Sequence, residues 1–199
     1  MVLPTINLTS GTDRGEDFVG TDDDDQFDAF IQQNAFAGGV SNSLSSADQL
    51  DGGLGTDTLT AEIIPEFFGV TGDHQIDIQA RTTDIENITF EARDSGSNDQ
   101  GSNDLVTVDA KYITGVDKIG SLMSDGDLVI ENLTTLTDAG EIRHTSSMTV
   151  TMDHTDNMNS DEDASDLTVL FDEDYLNTTT VELTPSGYFY HILNQEAYD

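Results

Sequence analysis

From about residue 75 onward, short apolar runs alternate with polar turns. Ile76, Asp77 and Ile78 alternate with a period of two, as do Ile88, Thr89 and Phe90; this is the pattern of strands with one buried face. Later apolar runs fall at 105–108, 128–130, 148–152, 167–171 and 181–183. Run centres stand near positions 88, 107, 129, 150 and 169, almost evenly spaced, with lesser runs at 116–119 and 141–144 between them. The spacing predicts an all-β chain wound as a β-solenoid with a rung of about 20 residues. A β-sandwich, whose strands recur at similar intervals, is the alternative. Upstream, a short strand is expected over 5–9, and a loop or short helix over 29–42, where Phe30, Ile31, Phe36, Gly38 and Gly39 lie. The pattern changes after Pro65 and the Phe67-Phe68 pair. This divides the chain into residues 1–72 and residues 73–199, read as continuous with one another.

Within the first part, residues 52–60 read Gly-Gly-Leu-Gly-Thr-Asp-Thr-Leu-Thr. They fit the nonapeptide G-G-x-G-x-D-x-U-x at every fixed position, where U is a large apolar residue. Residues 43–51 are a degenerate copy in the same register, since Asp48 and Asp57 lie nine apart, as do Leu50 and Leu59. A second pair stands upstream at 11–19 and 20–28. There Glu16 and Asp25 take the carboxylate place and Phe18 and Phe27 the apolar place, while Arg14 and Asp23 replace a glycine. Glycines in such a turn accept positive φ and turn carbonyls inward. The carboxylate supplies a hard oxygen that suits Ca²⁺, and the U residue enters the core. The candidate ion-binding residues are therefore Asp48, Gly52, Gly53, Gly55 and Asp57, with Glu16, Gly20, Asp22 and Asp25 in the weaker pair.

These two nonapeptide pairs resemble the haemolysin-type calcium-binding (RTX) repeats, and more narrowly the surface-layer and adhesin proteins that carry them. The resemblance runs from the start of the chain to Thr60. It implies a calcium-binding β-roll over 1–72 leading into the solenoid, and folding that is completed by Ca²⁺. It further implies type I secretion, an extracellular or cell-surface location, and assembly with copies of itself or with a cell-surface polysaccharide. Two other readings stay open: a calcium-dependent β-helix enzyme acting on polysaccharide, and a virion surface protein.

Charge sharpens this picture. The 199 residues include 40 acidic and 6 basic side chains, a formal net charge of -34. A compact body so charged repels itself, and bound cations would offset part of the repulsion. An acidic surface also serves solubility in high salt. No basic patch exists to meet phosphates, so nucleic acid is not an expected partner. Cysteine is absent, which excludes disulfides and thiolate zinc sites. No stretch approaches the roughly 20 apolar residues of a membrane helix, so no membrane insertion is expected. Residues 1–4 lack the basic and apolar regions of a cleavable signal peptide, so export would use a route not marked there. The acid-rich segments 94–104 and 153–166 read as solvated turns. His74, His144, His154 and His191 are scattered without metal-site spacing. With no nucleophile elbow, P-loop or dinucleotide fingerprint, catalysis is not expected.

Overall fold

In the computed structural model, described for residues 3–34, 38–65, 74–94, 104–134, 136–137, 145, 147–153, 165–172, 180–186 and 190–194, the chain is an all-β solenoid of about 4 turns. Its strands are β1 (Thr5–Asn7), β2 (Gln26–Ala29), β3 (Gln32–Gln33), β4 (Val40–Ser41), β5 (Gln49–Asp51), β6 (Thr58–Ile63), β7 (Gln75–Ile78) and β8 (Arg81–Thr83). They continue as β9 (Asn87–Ala92), β10 (Leu105–Asp109), β11 (Lys118–Leu122), β12 (Asp127–Leu133), β13 (Ser147–Asp153), β14 (Leu167–Phe171), β15 (Thr180–Ser186) and β16 (Tyr190–Asn194). Seven strands form one parallel sheet in the order β1-β2-β6-β9-β11-β13-β15, and five form a second in the order β16-β14-β12-β10-β7. A third, narrow face is made by β5 beside β8, prolonged by the parallel bridges Val19–Asp51 and Thr82–Ile113.

The alternation read from the sequence builds this body directly. Along β2, β6, β9, β10, β13 and β14 every second residue faces inward, so neighbouring rungs stack like side chains into files. One file across the large sheet is Ile6, Phe27, Leu59, Ile88, Ile119 and Val150. In the second sheet Ile76, Val106, Leu128 and Leu167 form one file, and Ile78, Val108, Ile130 and Val169 another. The two sets meet in one continuous apolar core. Because β6 pairs directly with β9, the large sheet runs past residue 72 without a break.

Two local expectations are corrected. The rung is longer than the spacing of apolar runs suggests. Along the large sheet Phe27, Leu59, Ile88, Ile119 and Val150 are successive neighbours, so one full rung is the chain from Leu59 to Ile88 or from Ile119 to Val150. The apolar centres near 88 and 150 belong to this sheet, whereas those near 107, 129 and 169 belong to the other. The spacings 88 to 107, 129 to 150 and 150 to 169 therefore measure the distance between faces, whereas 107 to 129 is one rung of the second sheet. Within 29–42 the chain forms no helix among the described residues, but a small antiparallel ribbon in which Gln32 pairs with Ser41 and Gln33 with Val40. Of the lesser runs, 116–119 leads into β11, and 141–144 lies outside the described residues, as do Phe67 and Phe68.

Candidate cation-binding corner

The complete nonapeptide turn, 52–57, lies directly on the turn 20–25 of the preceding rung. Leu54 N–H donates to the Thr21 carbonyl at 3.1 Å and Thr56 N–H to Asp24 Oδ1 at 2.9 Å. The glycines act in two ways. Gly53 and Gly55 have φ of 91° and 126°, which side-chain-bearing residues rarely adopt. Gly52 is needed for space: a β-carbon there would overlap the Asp84 carbonyl oxygen of the next rung and crowd Asp57 Oδ2. Gly20 stands in the same relation to the Gly52 carbonyl.

This stacking brings acids together in a column. Asp25 N–H donates to Asp57 Oδ1 at 2.7 Å, and Asp57 N–H donates to Glu86 Oε2 at 2.7 Å. Asp117 follows one rung on, and its charge acts on Glu86. Each acid of the first pairs thus reaches back to cap the amide of its counterpart on the rung before. Successive rungs are only about 4.8 Å apart, so the four carboxylates are held close. Among the described residues no Lys or Arg forms an ion pair with any of them; Arg93 pairs instead with Glu62, Glu91 and Asp125.

Burial deepens toward the nonapeptide end of the column. Asp25 and Asp57 are buried at 1% and 0% exposure, Glu86 is half-buried and Asp117 exposed. Asp25 Oδ2 is satisfied by Thr21, whose amide and hydroxyl donate at 2.5 and 2.9 Å. The matching donor is missing for Asp57, because Gly53 N–H turns to Asp51 Oδ1 at 3.1 Å. Asp57 Oδ2 is thus buried without a hydrogen-bond partner, and Asp25 Oδ1 is buried without one as well. Desolvation pushes the Asp57 carboxyl up to about 6; the Asp25 amide opposes this, and the charges of Glu86, Asp25 and Asp24 add to it. Desolvation also raises Glu86, with Asp117 and Asp84 contributing.

The remaining sequence candidates are placed differently from expectation. Asp48 does not join Asp57. It lies under Asp13, whose N–H it accepts at 2.8 Å, and Ser45 donates to it through both amide and hydroxyl, at 2.6 and 2.9 Å. Residues nine apart fall on different corners of the solenoid, so an in-register pair in sequence becomes two separate stacks. Glu16 does not take the carboxylate place of the first copy. It is exposed at the start of a 3-10 turn, Glu16–Phe18, and Asp13 occupies the buried place. Asp22 is exposed on its turn. A signal for Asp13 was present: Thr9-x-x-x-Asp13 repeats Thr21-x-x-x-Asp25, and Thr9 donates its amide and hydroxyl to Asp13 at 2.7 and 2.6 Å. Glu86 carries no motif and is found only through the stacking.

Elsewhere, His74 Nδ1 and amide both meet Asp104 Oδ1 at 3.2 Å. The segments 95–103 and 154–164, with His144 and His154, lie outside the described residues. Among the described residues no helix is long and apolar enough to cross a membrane. No protein-family model matches the chain, and comparison with curated proteins and with solved structures finds no match either.

Whether calcium suits this corner turns on its unused oxygens. Ca²⁺ takes about six to eight oxygen ligands. Among the described residues no three acidic or histidine side chains converge to hold an ion, so a carboxylate cage is absent there. Two buried carboxylate oxygens without a hydrogen-bond partner remain on stacked turns, and no ion pair reaches them among the described residues. An ion at this corner would be held by Asp25 or Asp57 and completed by backbone carbonyls and water.

Proposed function

We propose that this chain is a calcium-stabilised structural module that works outside the cell and assembles with copies of itself on a surface. The observation that carries the reading is the pair of orphaned oxygens, Asp25 Oδ1 and Asp57 Oδ2, buried at the head of an acidic column. A buried unpaired charge is costly, and a divalent ion is the group that would relieve two at once. Asp25 and Asp57 would hold it, and the ion would supply positive charge where no described Lys or Arg forms an ion pair. Cytosolic Ca²⁺ is scarce and external Ca²⁺ abundant, so such a chain gains stability by mass action on leaving the cell. The likeness of residues 52–60 to RTX repeats supports the same reading. Among the described residues β1 and β15 are the outermost strands of the large sheet, the kind of edge at which further strands pair.

Self-association follows from the charge. At a net charge of -34, copies repel one another until cations are bound. Light scattering on purified protein should report growth from monomers when millimolar Ca²⁺ is added, reversed by chelator. A reducing-sugar assay on acidic polysaccharide, run in parallel, should stay flat. A steady monomer that releases sugar ends would overturn the structural reading in favour of a polysaccharide enzyme.

A further inference from the structure

The chain has few positive charges, and two of them meet on one exposed ring. The Arg81 guanidinium carbon stands 4.9 Å from the centroid of the Tyr112 ring, and Lys111 Nζ stands 6.0 Å from it. Arg81 comes from β8 and the other two from the 3-10 turn Ala110–Tyr112 on the next rung. Neither cation has a carboxylate partner among the described residues, in a chain with 40 acidic residues. The nearby Asp109 does not neutralise them. Its Oδ1 accepts from the Lys111 amide and from Asn132 Nδ2, and its Oδ2 from Gln79 Nε2.

The support beneath this spot is rigid. Ala110 and Ile113, on either side of the exposed pair, are buried at 0% and 1% exposure. Thr114 N–H donates to the Thr82 carbonyl at 3.0 Å, locking the turn to the strand that carries Arg81. Tyr112 remains 40% exposed. An aromatic body beside two free cations is suited to an anion carried on a partly apolar frame, as in an acidic sugar. Net charge narrows the class further. A densely charged polyanion would be repelled by a body at -34, whereas one acid group on a neutral carrier gains the local attraction with little long-range penalty.

We infer that Arg81, Lys111 and Tyr112 form a binding site for a glycan bearing an isolated acidic group. The site lies on the narrow third face, on different side chains from the Asp25–Asp57 corner, and it stands whether or not calcium binds there. The test is a two-dimensional amide and guanidinium NMR titration of the full chain with sialyllactose, lactose and sodium sulfate in separate tubes. Sialyllactose should move the Arg81, Lys111 and Tyr112 signals and saturate in the millimolar range, at least about tenfold more tightly than lactose or sulfate. The double variant Arg81→Gln/Lys111→Gln should lose this response with an unchanged melting temperature, since both side chains are exposed. No movement at these residues would overturn the proposal. Equal response to lactose would remove the role of charge, and equal response to sulfate the role of the sugar. Ligand-free self-association abolished by the double variant would assign the patch to a second copy and overturn it too.

Discussion

Phe90→Ala should destabilise the solenoid by about 4 kcal/mol, near the top of the range for a large-to-small core change. The reason lies in the register. Phe90 is flanked in its file by Ala61 on one rung and Ser121 on the next, with Ala29 and Met152 beyond. It is fully buried, and its small neighbours are small because the ring fills the space over them. Neither can expand into the void left by the ring, so the site collapses little and the cavity term stays large. Ile88→Val, one position along in the file of Leu59 and Ile119, should cost only about 1 kcal/mol. Urea denaturation at fixed calcium checks both. Similar losses at the two positions would mean that the rungs repack freely and that the register of the large sheet is wrong.

Asp57→Asn should invert the effect of calcium on stability. In chelator at about pH 7.5 the wild-type carboxylate is ionised, buried and half unpartnered, while the amide keeps an acceptor for the Asp25 N–H and carries no charge. The variant should then be more stable by roughly 3 kcal/mol, the worth of a carboxyl pushed from its ordinary value to about 6. With Ca²⁺ at about a thousand times its dissociation constant the wild type gains about 4.1 kcal/mol, and the variant gains little. The order of melting temperatures should reverse. Proton linkage gives the same group a second signature. The folded value lies above the unfolded one, so its contribution is fully present below about pH 4 and lost as pH rises through about 6. Burial shifts Asp48 and Glu86 in the same direction. In chelator, acidifying from about pH 7.5 to 5 should therefore raise the wild-type melting temperature, and by less in the variant. A variant that is less stable than wild type both with and without calcium would show that Asp57 serves only as a hydrogen-bond cap.

The strands were legible because one face of each is buried: Ile76 with Ile78, and Ile88 with Phe90, enter the core as their alternation requires. The rung was not legible from those strands, because apolarity marks inward-facing positions on both sheets and says nothing about which sheet they belong to. The turn at 52–57 was legible for a local reason, since positive φ at Gly53 and Gly55 and close approach at Gly52 each demand glycine. What the turn faces was hidden. Asp25 sits 32 residues before Asp57 and Glu86 29 residues after it, and only the path of the intervening chain sets those distances. Glu16 leaves the carboxylate place because the chain departs from the nine-residue period just before it. Gly15, at φ 88°, opens a 3-10 turn there instead, leaving Asp13 to cap against Asp48.

We place an ion between the turns 20–25 and 52–57. Crystals grown in calcium, measured for anomalous scattering, test it most directly. A peak is expected within roughly 2.3–2.6 Å of both Asp25 Oδ1 and Asp57 Oδ2. An ordered corner in which neither oxygen touches an ion, in crystals that hold calcium elsewhere, would contradict it.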